Sequence, residues 1–354
     1  MSELLCQGGF GCVFYPAFNC SGKVIPSKNI VSKLQLDTFH AHNEVYIGSI
    51  IKQIPNYNLY FLPVISSCPI GIASLNKKYI EKCKIVSNKD PNYLLLELPY
   101  IKNISFRELF FDSNRSIKYL FLIFIETFQY IIISIEHLLK KNIVHYDLKE
   151  ENILYSIKYE NPILIDFGIS IPMDKLDSSN LKEYFYVYGP DYYIWPLEVH
   201  AINFLVNEND QLLLKDIEDL VETYVTYNSG LQIFSKEFKI RYKNMCIDFL
   251  KKYENVNKNI IIKELLSYYK TWDLYSLSIM YLKFYTMLFK NGFFENKFII
   301  TFSQLLLINI SPDPRKRLSI SDTLQKYKDI FFINEKPENY LTLIKNLNKN
   351  NLSL

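Results

Sequence analysis

The sequence predicts an α+β chain in two parts, a smaller strand-rich part followed by a larger, mainly helical one. Three observations carry this. Apolar, strand-like runs at 30–34 and 93–98 mark the first part. The composition turns helical at 106–111 and again through 119–139, which puts the break near residue 99. Residues 143–154 then run apolar, polar, apolar, and a second short apolar run, Ile163-Leu164-Ile165, ends in Asp166-Phe167-Gly168. Two short strands pairing there would leave both acids, Asp147 and Asp166, at the same edge.

A chain of 354 residues can bury a large core in two domains or in one two-part unit. Charged residues are 22% and the net charge is +3. That argues against a nucleic-acid binder whose affinity comes from neutralising phosphates. Tyr (28), Phe (25), Ile, Asn and Lys are abundant. These residue types share AT-rich codons, so the bias reports the genome rather than the function. The six cysteines show no C-x-x-C pair and read as free thiols in a reducing compartment. Met1-Ser2-Glu3 leads almost at once into a glycine loop, so no signal peptide is expected and the location reads as cytoplasmic. The apolar stretch 119–139 is interrupted by Glu126, Gln129 and Glu136. It reads as a helix buried on all sides rather than a membrane span.

Taken in order, Gly8-Gly9-Phe10-Gly11 lies between two apolar stretches. Glycines there let backbone N–H groups approach phosphate oxygens without a Cβ in the way. Residues 30–34 form a strand on which Val31 and Lys33 share a face. Lys23 and Lys28 compete with Lys33, but lie in a polar turn. Glu44 falls in a helical stretch at 42–47. Residues 93–100 form a buried strand that ends at Pro99, which has no N–H to donate. The polar part of 143–154 holds an acid, Asp147, a cation, Lys149, and an amide, Asn152. With Asp166, that set could accept a hydroxyl proton, face a phosphoryl group and hold magnesium through oxygen donors.

These residues resemble a known family. His145-Tyr146-Asp147 through Asn152 is similar to the catalytic loop of eukaryotic-type protein kinases, H-R-D-L-K-x-x-N, and Asp166-Phe167-Gly168 to their D-F-G motif. The segment from Cys6 to Val13 resembles the glycine-rich loop, with Cys6 where the first glycine is expected. Trp195-Pro196-Leu197-Glu198 looks like A-P-E, Pro312 to Arg317 like the late D-P-x-x-R element, and Trp272 to Ser278 like the start of the central buried helix. The likeness extends, with gaps, from about Leu4 to about Phe332.

The resemblance implies a bilobal protein-kinase-like fold: an N-lobe at 1–98, a mainly α-helical C-lobe at 99–332 with a helical insertion at about 199–270, and a mobile tail at 333–354. It implies ATP and Mg2+ as cofactors. Asp147 would be the base, Lys149 would neutralise the transferred group, and Lys33, paired with Glu44, would hold the α- and β-phosphates. Asn152 and Asp166 would bind the metal. Gly8, Gly11, Val13, Val31, Glu97, Pro99 and Leu154 would contact the nucleotide, with Leu96 as gatekeeper. Lys149 after Asp-Leu is the Ser/Thr pattern, which implies a Ser/Thr protein kinase acting on a protein substrate. Neither nucleic acid nor membrane is expected as a partner, and the chain reads as a monomer. The motifs are similar to those of divergent kinases of large cytoplasmic DNA viruses, which would place the protein in a host cytoplasm.

Several positions depart from the pattern. Tyr146 replaces the arginine that receives an activation-segment phosphate. Gly48 stands where the regulatory helix of the family usually carries a bulky apolar residue, which predicts a loosened docking of that helix. No clear Gly-Thr precedes Trp195. The connection from Glu198 to Asp273 is much longer than usual and contains an amphipathic stretch with Leu213, Ile217, Leu220, Val221 and Tyr224 on one face. Two alternatives stay open: a pseudokinase-like scaffold, and a small-molecule kinase of the aminoglycoside or choline type. The presence of Lys33, Asp147, Asn152 and Asp166 argues against the first; the D-F-G motif and Arg317 argue against the second.

Overall fold

The computed structural model describes residues 2–9, 11–86, 92–111, 117–290 and 297–330. The expected tail at 333–354 lies outside them, as does Phe10 in the glycine loop. The chain divides into two compact units, Met1–Ile104 with Asn152–Pro172, and Ser105–Glu151 with Met173–Leu354. The first unit therefore runs a little past residue 99 and takes back a later stretch.

In the first unit, β1 (Glu3–Gln7), β2 (Cys12–Tyr15), β3 (Ile30–Leu36), β4 (Ser66–Ile70) and β5 (Tyr93–Pro99) form one sheet in the order β1-β2-β3-β5-β4. β5 shows why it sits inside. Tyr93 and Leu95 point into a core with Cys12, Phe14, Phe18 and Leu34, while Leu94 and Leu96 point the other way onto Ala41 and Val64. A strand apolar on both faces is stable only when both are covered. α1 (Phe39–Ile51) belongs to the same unit. The short strands Ile153–Ser156 and Asn161–Leu164 pair antiparallel, as the sequence predicts. The Leu62 amide donates to the Leu164 carbonyl at 3.2 Å, which ties the returning stretch to this unit.

Two expectations are corrected here. Gly48 does not loosen the docking of α1. A Cβ at that position would meet the Val64 backbone nitrogen at 3.2 Å, so glycine lets the helix come closer than a bulky residue could. The cysteines are not all free thiols: Cys12 is bonded to Cys83 and Cys20 to Cys68, leaving Cys6 and Cys246 free. The sequence conceals this because the partners are 71 and 48 positions apart. The cysteine pattern therefore gives no argument for a reducing compartment. Closing loops of that size restricts the unfolded chain, and losing either bridge is expected to destabilise the unit by about 2–4 kcal/mol. Hydrogen exchange at β3 and β5 amides, compared with and without reductant, reads this directly. Unchanged protection after full reduction would show that the bridges contribute nothing.

The second unit is helical. In chain order it contains α3 (Phe106–Phe111), α4 (Ile117–Leu139), α5 (Leu181–Tyr184), α6 (Leu197–Asn207), α7 (Leu214–Tyr227), α8 (Lys236–Lys251), α9 (Lys258–Leu266), α10 (Trp272–Lys290), α11 (Lys297–Asn309) and α12 (Ile320–Lys328). (α2, Lys77–Ile80, lies in the first unit.) Among the described residues Leu122–Leu139 is long and apolar enough to cross a membrane. Within this unit its Phe124, Phe128, Ile131 and Ile135 are fully buried. Thr127 Oγ1 and Tyr281 OH share a hydrogen bond of 2.7 Å, joining α4 to α10.

The long connection after Glu198 is integral to this core. In α6 every residue from Leu197 to Leu205 is buried. Ile217, Leu220, Val221 and Tyr224 of α7 are buried as the pattern predicts, but Leu213 precedes the helix and is exposed. The Tyr224 hydroxyl meets that of Tyr275 on α10 at 2.5 Å, and Tyr242 on α8 donates to the Ile310 carbonyl at 2.7 Å.

Candidate active site

The predicted residues gather as two groups, one in each unit. In the first unit, β3 is the seven-residue inner strand that carries Lys33, directly opposite Val13 on β2 and Leu96 on β5. Lys33 Nζ lies 2.8 Å from Glu44 Oε2 and 2.9 Å from Asp166 Oδ1. Gln35 adds a hydrogen bond of 2.9 Å to Glu44 Oε2. Lys33 and Glu44 are buried, and burial alone would lower the lysine. Asp166 and Glu44 outweigh it and hold the ammonium above its ordinary value. Burial likewise pushes the Glu44 carboxyl up, against the pull of Lys33.

Asp166 has a φ of 64°. A non-glycine residue there is uncommon and marks a backbone held by its surroundings. Asn43, which sequence reasoning missed, supplies part of that hold: its amide donates to the Gly168 and Ser170 carbonyls at 2.9 and 2.8 Å. Phe167 is buried and packs edge-on against Phe61, with ring centroids 6.0 Å apart. The Ile165 amide donates to the Asn152 carbonyl at 3.0 Å, so the chain positions bearing Asn152 and Asp166 lie side by side.

The glycine loop closes through Gly8 N–H to the Gly11 carbonyl at 2.9 Å. At Gly11 a Cβ would fall 2.7 Å from the Leu34 carbonyl oxygen, so only glycine fits. Gly8 has no such neighbour within 4 Å. Val31 is buried on β3, and Leu154 pairs with Ile163. On β5 the Glu97 carbonyl already accepts the Ile65 amide at 2.7 Å, and its carboxylate accepts from Ser66 at 2.6 Å. An adenine amino group would have to use that carbonyl's second lone pair. Pro99 stands opposite Ile30.

In the second unit, Asp273 at the start of α10 holds the loop that carries Asp147. Its carboxylate oxygens accept from the His145 and Tyr146 amides at 2.7 and 2.9 Å. Tyr146 itself has a φ of 69°. Asp147 Oδ2 lies 2.9 Å from Lys149 Nζ. The Tyr192 hydroxyl donates to Asp147 Oδ1 and accepts from Lys149 Nζ at 3.1 Å. Sequence reasoning missed Tyr192, because aromatic residues are abundant and no clear Gly-Thr precedes Trp195 to set a register. Glu198 and Arg317 form a buried two-point pair, with N–O distances of 2.6 and 2.9 Å.

The chemistry follows from these donor sets. An amide and a carboxylate oxygen suit a hard divalent cation that keeps several waters, so Asn152 and Asp166 fit magnesium. Among the described residues no cluster of three or more His, Cys, Asp or Glu forms a metal site. Asp147, a carboxylate beside a cation, can receive a proton. The protein kinase domain family matches residues 72–196, a range that includes Asp147 to Asn152 and Asp166, but not Lys33, Glu44 or Arg317. A probable serine/threonine-protein kinase, cdc7 of Dictyostelium discoideum, is 41% identical over 80 residues. That alignment covers 22% of this chain and 7% of the relative, so the chain spans only a small fraction of the protein it matches.

Proposed function

We propose that this chain is a Ser/Thr protein kinase that transfers the γ-phosphoryl group of ATP to hydroxyls of protein substrates. The observation that carries the reading is the Lys33–Glu44–Asp166 cluster, with contacts of 2.8 and 2.9 Å between groups up to 133 positions apart. A buried lysine held charged between two carboxylates is a fixed cation for phosphate oxygens. In this reading the first unit is the nucleotide-binding lobe. Lys33 binds the α- and β-phosphates, Val13, Val31 and Leu154 enclose the adenine, and Asn152 and Asp166 hold magnesium, which when bound offsets the charge of the phosphates. Asp147 orients the acceptor hydroxyl and takes its proton, and Lys149 neutralises the group in transfer.

The test is a radiolabelled transfer assay of the purified full chain with ATP, magnesium and generic protein substrates, followed by phosphoamino-acid analysis. Phosphoserine or phosphothreonine is the expected product. Phosphotyrosine alone would overturn the hydroxyl specificity. No transfer by folded protein would overturn the activity.

A further inference from the structure

The place of the arginine that receives a phosphate is filled by Tyr146, which is buried and carries no charge. Its hydroxyl lies 3.4 Å from the Asn203 amide, and burial pushes its pKa well up. No phosphate can be drawn to this position by charge. Yet the segment before Glu198 is tightly fixed to the loop that carries Asp147. Trp195 Nε1 donates to the Tyr146 carbonyl at 2.7 Å, and the two rings stack with centroids 4.8 Å apart. Tyr192 reaches Asp147 and Lys149. Tyr193 donates to Glu150 Oε2 at 3.1 Å, and Lys283 on α10 pairs with Glu150 Oε1 while reaching the Tyr193 hydroxyl at 3.2 Å.

The same three-group pattern thus occurs twice: carboxylate, phenol, ammonium. Both phenols stay protonated, because burial and then the neighbouring carboxylates, Asp147 and Glu150, push them far up. Each can therefore donate to its carboxylate and accept from its lysine at once. The segment is anchored from its other side as well, since Ser276 on α10 donates to the Ile194 carbonyl at 2.8 Å.

We propose that Tyr192, Tyr193 and Trp195 form a phosphate-independent clamp on the loop 146–150, with Tyr192 as the positioning residue that sets Asp147 and Lys149. This rests on the kinase reading. A segment held through the side chains of Tyr192, Tyr193 and Trp195 needs no added phosphate to order it. Tyr192 acts through Asp147 and Lys149, so it affects the transfer step rather than nucleotide binding. Tyr193 acts one position further away, through Glu150.

The test uses the phosphatase-treated full chain, shown by mass spectrometry to be free of phosphate, in steady-state kinetics on a generic protein substrate. Wild type is expected to keep its initial rate. Tyr192→Phe removes a hydrogen bond to a charged group and should lower kcat by about tenfold to a hundredfold, with KM for ATP within about twofold. Tyr193→Phe should lower kcat less. Lys283→Met should match it, and the double variant should fall short of the product of the two, because both act on Glu150. If Tyr192→Phe fails to fold, the Tyr193→Phe and Lys283→Met pair carries the test. An unchanged kcat in Tyr192→Phe overturns the clamp. A raised kcat also overturns it, and makes Tyr192 a self-blocking occupant of the acceptor position. Loss of the wild-type rate on phosphatase treatment overturns phosphate independence. If untreated wild type shows no transfer at all, the kinase reading falls and the clamp with it.

Discussion

Asp147→Asn is expected to lower kcat by at least ~10²-fold while leaving the fold intact. The amide keeps the shape of the carboxylate and can still accept from the Tyr192 hydroxyl, so the loop held by Asp273 should not move. It cannot take up a proton, and it gives up the 2.9 Å ion pair with Lys149. Asp166→Asn should cost a comparable factor by a different route. In the proposed reading it weakens a hard-cation ligand, and it removes one of the two carboxylates that hold Lys33 charged. The two variants therefore differ in their metal dependence: raising magnesium should recover part of the loss in Asp166→Asn and none in Asp147→Asn. Steady-state rates across a magnesium titration, with a thermal midpoint for each variant, check this. Near-normal transfer in either variant would falsify the role given to that residue.

Arg317→Met should destabilise the second unit by about 3–5 kcal/mol, because it leaves the fully buried Glu198 without its partner. Arg317 is charged in the fold: burial opposes the charge, but Glu198 outweighs burial and raises the guanidinium further. The same side chain also donates to the Ser311 carbonyl at 2.8 Å. The paired replacement, Glu198→Gln with Arg317→Met, should cost less than Arg317→Met alone, since no uncompensated charge remains. Both tryptophans, Trp195 and Trp272, lie in this unit, so urea unfolding followed by their fluorescence reports on it selectively. If the double variant is as unstable as Arg317→Met, the loss comes from packing rather than from the stranded charge.

Much of the candidate site was legible in the chain because its groups come in short, ordered runs. Asp147, Lys149 and Asn152 sit within one loop, and the strand-like run 30–34 carried Lys33 while Lys23 and Lys28 fell in a polar turn. The pairing of Glu198 with Arg317 and the hold of Asp273 on the loop were legible only as what the resemblance of their segments to A-P-E, D-P-x-x-R and the start of the central buried helix implies. Tyr192 and Tyr193 could not be assigned, because aromatic residues are abundant throughout and nothing local marks these two. Asn43 was equally silent, since a helical amide shows its use only when the carbonyls it reaches are in place.

The sequence by itself determined β3 and β5 as strand-like apolar runs, the apolar face of α7 and the identity of the charged groups, because these depend on periodicity and on neighbours a few positions away. Tertiary structure alone decided which cysteines pair, why Gly48 is a glycine, and which phenols meet Asp147 and Glu150. Each of those depends on distances between segments far apart in the chain. Cys12 meets Cys83 across 71 positions, and Lys283 meets Glu150 across 133. Local propensity carries no information about such meetings; they arise only when burial of the apolar faces brings the segments together.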